Sequence, residues 1–541
     1  MAKQQQQQQQ QHYNNNINNN PFPRKYTDGT FTTRMDISCR SKQNDNDETV
    51  YSDDSPNTTD ENEIGASIVD LALPALGALL IDPIMTLIDT AFVGRFTPSA
   101  EPLAGMGTAA ALLSFSFYIF NFFCTATTPL VASQRAAGNE ARAKQVGGQA
   151  LSLALFAGTI LTATLLLFQD PLLQIMGAGA GEVVPSTGTS DVVSTSMSTS
   201  ADYATSFLMV RALAAPAVLC ISASTGVLRG YLDTTTPIYI LFTANAVNFV
   251  LDVILVAGAG MGPQGAAIAT TSAEWISALL FLGVLSGRLP SPTNETLSVQ
   301  PLLSVPSWED AQPLVVASGS VLLRSLVLQL TLSSATALAA RDSSASVAAH
   351  QIAIQLWLLC SEICDALAAA SQALVADGLG QQNERRVRAV TRTVFQYSLG
   401  LGMLLAAGLG VGSDTLVQFF TPETSVQESL APILTLLVLA QPLNSLVFAA
   451  DGVLQGASEF PYQARAMAIS GVVAWVSCAF LQTTDPPPEG NTLFHVWLAL
   501  NVLQLMRGIT SAVKLVDDDG PIRLLAADTN DRDDAPGGVM T

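Results

Sequence analysis

Charge is scarce in this sequence. Asp, Glu, Lys and Arg together supply 13% of its 541 residues, against roughly 25% in an ordinary soluble domain, and 49% of the chain is hydrophobic. That balance excludes a soluble globular body and indicates a polytopic membrane protein. Basic residues are scarcer than acidic ones, 24 against 44, for a net charge of −20, and no nucleic-acid partner is expected. Much of the acid lies in the tails, ten residues within 1–65 and seven from Asp517 to the end. The membrane body is closer to neutral, and net charge says little about a substrate. Three histidines and six cysteines without a CxxC pair point to neither a metal centre nor a disulfide framework. Cys360 and Cys364 lie one helical turn apart with no His beside them in sequence, and packing is the expected role. The N-terminus lacks the apolar core of a secretory signal and is too acidic for a usual transit peptide, so plastid or mitochondrial import is not expected.

What is present is a series of apolar runs of bilayer-spanning length, at about 68–93, 103–133, 146–168, 203–228, 236–258 and 263–286, then 311–339, 346–378, 390–412, 428–455, 462–482 and 492–515. The expected fold is an all-α polytopic membrane protein of about twelve transmembrane helices, as two six-helix lobes. The expected boundaries are a disordered Gln/Asn-rich and acidic tail (1–65), a first lobe (66–288), an interlobe loop (289–310), a second lobe (311–515) and an acidic tail (516–541). Arg135, Arg142 and Lys144 follow the second run, and Arg385, Arg386, Arg388 and Arg392 follow the eighth. The positive-inside rule makes both loops cytoplasmic, and with them both termini. The sequons at Asn57 and Asn294 then fall inside and are read as chance matches.

The two halves repeat. LVASQRAAGNEARAKQV (130–146) aligns with LVADGLGQQNERRVRAV (374–390) at an offset of 244, and APAVLCISASTGVLRG (215–230) with QPLNSLVFAADGVLQG (441–456) at 226. Six spans is an even number, so both copies cross in the same sense. Parallel repeats of this kind are a transporter architecture.

Acids inside the runs are the functional signal, since a charge at bilayer depth costs at least ~2.5 kcal/mol and marks ion or substrate routes. In IDPIMTLIDTAFVGR, Asp82 and Asp89 share a helix face roughly 10 Å apart along the axis. In ANAVNFVLDVILV, Asn248 and Asp252 are four apart and face the same way. Asp89, Asn248 and Asp252 are the candidate cation-coupling residues: paired carboxylates in a poorly hydrated site can exchange H⁺, and the same oxygens can hold Na⁺. The alternative is structural pairing, with Arg211 as a partner. Asp82 precedes Pro83, so its carboxylate can equally serve backbone freed at a kink. In the second half Arg324, Glu362 and Asp365 suggest internal neutralisation, with Asp451 a further candidate. His350, Gln355 and the aromatics Phe115 to Phe123 are expected to be packing residues.

The segments DPIMTLIDTAFVGR, PLVASQRAAGNEARA, GVLRGYLDTTTPIYILFTANAVNFVLDVILV, GAAIATTSAEW and AAHQIAIQLWLLCSEICDALAAASQALVA, spread over 70–515, together resemble the multidrug and toxic compound extrusion (MATE) family in its DinF-like eukaryotic branch. The resemblance implies a two-lobe exporter of small organic solutes, xenobiotics or organic acids, driven by H⁺ or Na⁺. The family's first-span acid matches Asp89, its fifth-span pair matches Asn248 and Asp252, and Asp365 and Asp451 fit the branch best in the second lobe. No cofactor beyond the coupling ion is implied and no enzyme activity. A monomer in the plasma membrane or an endomembrane is expected. The rivals are a lipid-linked precursor flippase of the same superfamily, which calls for a basic cavity, and an intramembrane enzyme, which calls for paired metal-binding acids or a nucleophile with its base.

Overall fold

The computed structural model describes residues 58–96, 101–176, 190–293, 297–301, 308–339, 343–421, 423–484, 492–518 and 520–524. The Gln/Asn-rich sequence up to 57, most of the Ser/Thr-rich insertion (177–189), the PPP turn at 486–488, both sequon asparagines and residues 525–541 lie outside them.

A bilayer offers no hydrogen bonds to backbone, so long apolar runs close their own as helices. The first half comprises α1 (Thr58–Phe96), α2 (Glu101–Ile119), α3 (Phe122–Ala136), α4 (Glu140–Leu167), α5 (Gln169–Ile175), α6 (Ser190–Ala212), α7 (Ala215–Gly230), α8 (Thr235–Asp252) and α9 (Gly262–Leu285). The second comprises α10 (Trp308–Ala339), α11 (Ser344–Gly380), α12 (Glu384–Phe420), α13 (Thr424–Gly456), α14 (Phe460–Thr484) and α15 (Thr492–Val516). Among the described residues, eleven helices are long and apolar enough to cross a membrane, or twelve when α6 and α7, bent by 48°, count as one span.

The bend between α6 and α7 has a local cause. Pro216 has no N–H to give the carbonyl of Ala212, and the Thr162 hydroxyl of α4 donates to that carbonyl instead, at 2.7 Å. The indole N–H of Trp275 donates to the adjacent Leu213 carbonyl at 3.1 Å.

Equivalent positions of the two halves make equivalent contacts. Gly226 packs on Cys124 and Thr127, and Gly452 packs on Ala368 and Ser371, the residues 244 further along the chain. The turn after α3 places Gly138 at φ +77°, and the turn after α11 places Gln382 at φ +57°. Leu232 and Ser458, 226 apart, repeat the pattern at φ +62° and +59°. A left-handed residue after a helix lets the next N–H groups reach the last free carbonyls. Both copies do so, with Asn139 and Asn383 donating to Gln134 and Gly378 at 2.9 and 3.0 Å.

Helix α1 belongs to neither half alone. Its first turns bury Ile68 and Leu71 against Leu367, Leu374, Val390 and Val453 of the second half. Its last turns bury Val93 with Leu112, Leu208, Val256 and Ala266 of the first. Pro74 and Pro83 lie between these contacts, where each removes a helical hydrogen bond.

The halves also meet where the basic loops emerge. Gln372 of α11 donates to the Thr125 carbonyl of α3 at 2.7 Å, and Gly380 of α11 packs on Ser133 and Ala136 of α3. Two edges differ from the sequence expectation. Residues 58–65, assigned to the disordered tail, begin α1. Residues 516–524, assigned to the other tail, include Ile522, 2% exposed and packed in the α11–α12–α13 cluster, because the chain folds back to bond the Leu524 N–H to the Leu515 carbonyl at 3.0 Å. The connector from 289 packs as well, with Leu297 and Val299 buried in the first-half cluster.

Candidate functional site

Asp89, on the part of α1 that packs into the first half, is buried and meets α8 and α9 there. Asn248 Nδ2 donates to Asp89 Oδ1 at 3.2 Å, and Thr270 Oγ1, from α9, lies 3.0 Å from Oδ2. Asn248 and Asp252 are both 0% exposed. Their four-residue spacing puts the second carboxylate one turn below the amide, in side-chain contact with Asp89. Neither Asp252 oxygen accepts a hydrogen bond from any described residue. Buried acceptors without donors are rare, and two carboxylates in contact need a proton or a cation between them. Directly after Asp252 the helix widens to a π-helical turn over Val253–Gly258, a local geometry found mostly at functional positions.

Arg211 is not the partner of this pair. Both arms of its guanidinium donate to the carboxylate of Glu274, one turn beyond Thr270 on α9. Glu274 carried the same signal as the other acids, a charge within an apolar run at GAAIATTSAEW, and belongs in the site. Asp82 is exposed, within electrostatic reach of Arg211 and Glu274 and of Glu362 from the second half.

The second half arranges its charges differently from the expected Arg324–Glu362–Asp365 grouping. Arg324 pairs with Asp451, which also takes Arg507. Gln463 donates to the Asp451 carbonyl at 3.0 Å, and Gln504 bridges Arg507 to Asn444. Asp365 lies within electrostatic reach of Arg229, Arg324 and Arg507, and Glu362 lies within reach of Asp365 and of Asp82 from the first half. Arg507, in LQLMRGIT, is a second residue that intramembrane charge alone marks and that pairing arguments from sequence miss. Tyr118 of α2 reaches the same charges from the first half. His350 is 0% exposed, with Trp497 Nε1 donating to its Nδ1 at 3.2 Å and Thr336 Oγ1 at 3.1 Å from its Nε2, a packing role. No group of three or more metal-binding side chains occurs among the described residues.

A family model described as MatE matches residues 74–254 and 320–480. Protein DETOXIFICATION 44, chloroplastic, from Arabidopsis thaliana is 31% identical over 476 residues, covering 86% of this chain and 84% of its own length. DNA damage-inducible protein F from Escherichia coli (strain K12) is 29% identical over 447 residues, 82% of this chain and 90% of its own. A solved structure described as the outward-facing conformation of a multidrug resistance MATE family transporter superposes with a TM-score of 0.70 at 19% identity, over 82% of this chain and 94% of that one, which shows a shared fold. The first relative is named chloroplastic, so the exclusion of a plastid from N-terminal composition does not stand.

Proposed function

The chain belongs to the MatE family, the multidrug and toxic compound extrusion transporters, and from that premise we propose that it is an antiporter, not an enzyme, exporting small organic solutes in exchange for H⁺ or Na⁺ taken up at Asp89 and Asp252. The contact between these two buried carboxyls, one of them with no donor, carries the reading. An uncompensated pair is costly in a low dielectric, so the empty site favours whichever conformation lets a cation in. Asn248 and Thr270 hold Asp89 in place for it. A ligand shifts two states only by its differential affinity for them, and cation occupancy changes both charge and hydration on α1, the helix that spans both halves.

With the positive-inside orientation, the halves touch at their cytoplasmic ends and the site lies toward the other face. Cation entry from outside then precedes solute release, and reclosure carries the cation inward. A lipid-linked carrier needs free cations at depth to hold phosphate. Arg211, Arg324 and Arg507 are each engaged by a carboxylate, which favours antiport of smaller solutes.

The test is counterflow into proteoliposomes of a panel of labelled organic cations, organic acids and phenolics, with and without an imposed pH or Na⁺ gradient. Export driven by one gradient, and abolished in Asp89→Asn and Asp252→Asn proteins that remain monodisperse, is the expected result. Gradient-driven export that survives both substitutions overturns the reading.

A further inference from the structure

In the first-half site one guanidinium, Arg211 from α6, contacts Glu274 from α9 and lies within electrostatic reach of Asp82 and Asp89 from α1, while Asp252 from α8 contacts Asp89. The guanidinium is a built-in cation beside a site proposed to exchange one. Bound to Asp89, it would occupy the position of the exchanged ion permanently. In the structure both of its arms are turned to Glu274, although Asp89 lies within its electrostatic reach.

The backbone around Arg211 is held by three side chains, two from α9 and one from α4. The Thr271 hydroxyl donates to the Val210 carbonyl at 3.4 Å, Thr162 to Ala212 at 2.7 Å, and Trp275 to Leu213 at 3.1 Å. The choice between carboxylates is therefore made by the side chain, not by helix movement. Glu274 and Thr270 are four apart on α9, so the same helix face that donates a hydroxyl to Asp89 also supplies the competing carboxylate. Bidentate pairing to a planar fork is the stronger geometry, and it holds the guanidinium aside.

We infer that Glu274 and Arg211 are positioning residues of the cation site: Glu274 engages both arms of Arg211 and keeps that internal cation off Asp89, leaving the Asp89–Asp252 contact open to the exchanged one. This rests on the antiport reading above. A pair that merely fastened α6 to α9 would affect stability alone, and replacing both partners of a buried ion pair by neutral groups is often harmless to folding. The two roles therefore separate in the double variant.

The experiment is an infrared pH titration of the carboxyl stretch in the full-length purified protein, with Asp89→Asn and Asp252→Asn assigning the band of the pair, alongside export under the gradient that drives wild type. Arg211→Gln leaves Glu274 uncompensated beside the pair and moves its midpoint to higher pH. Glu274→Gln frees Arg211 for Asp89 and moves it to lower pH, each by about one to three pH units. In Glu274→Gln export falls by at least about tenfold. Arg211→Gln/Glu274→Gln together return the midpoint toward wild type and restore export. Should a single variant not fold, Arg211→Lys, which keeps the charge but loses the second arm, shifts the midpoint in the Glu274→Gln direction. Wild-type midpoints in every variant that folds overturn the positioning role while leaving the coupling reading intact. Absence of any band lost in Asp89→Asn or Asp252→Asn overturns both.

Discussion

Gly380, at the end of α11, rests on the Ser133 carbonyl of α3 so closely that a β-carbon would collide with it and with Ala136. The halves approach here as backbones, and Gln372 adds a hydrogen bond to Thr125 nearby. Gly380→Val is expected to wedge this end apart. A cysteine at Ala126, 0% exposed, then reacts faster with a membrane-impermeant maleimide applied from that side, while the protein stays monodisperse. Unchanged reactivity would show that the seam is not what closes this end.

Thr270 separates hydrogen bonding from packing at Asp89. Its hydroxyl lies 3.0 Å from Asp89 Oδ2, and a hydrogen bond to a charged group contributes about 1.5–3 kcal/mol. Thr270→Val is expected to change the H⁺ or Na⁺ concentration for half-maximal export by about tenfold or more, and Thr270→Ser to leave it near wild type. Equal effects from the two substitutions would assign Thr270 to packing.

In the second half, Asp451 is the only carboxylate that the structure pairs directly with Arg324 and Arg507 among the described residues. Asp451→Asn leaves buried Arg507 and half-buried Arg324 without it, and breaking a buried pair costs about 3–5 kcal/mol. Arg324→Gln leaves the Asp451–Arg507 pair standing. Thermal unfolding in detergent should rank Asp451→Asn clearly below Arg324→Gln. The reverse order would mean that this cluster does not stabilise the second half.

Ile522 gives residues 516–524 a structural role. It is 2% exposed among Val387, Val390, Val453 and Leu454, and Ile→Ala at a buried position costs about 2–5 kcal/mol. Ile522→Ala should lower the unfolding temperature, and a chain ending at Val516 should lower it similarly. Melting curves that overlay wild type would return this stretch to the status of a tail.

The sequence alone determined the all-helical membrane class, the approximate number of spans, the parallel repeat and three of the residues that meet at the candidate site. Those features are local: apolar length, a recurring turn such as GNEARA and QNERRV, and a four-residue spacing on one helix are all written within a few dozen residues. Tertiary structure alone decided the partners. Arg211 and Glu274 are 63 residues apart in the chain, and Arg324 and Asp451 are 127 apart. Which carboxylate a buried guanidinium meets depends on the rotation and depth of helices formed independently of one another. Helix α1 makes the same point, since a Pro-containing apolar run reads alike whether it stays in one half or crosses from one to the other. Only the packing of Ile68 against α11 and Val93 against α2 settles it.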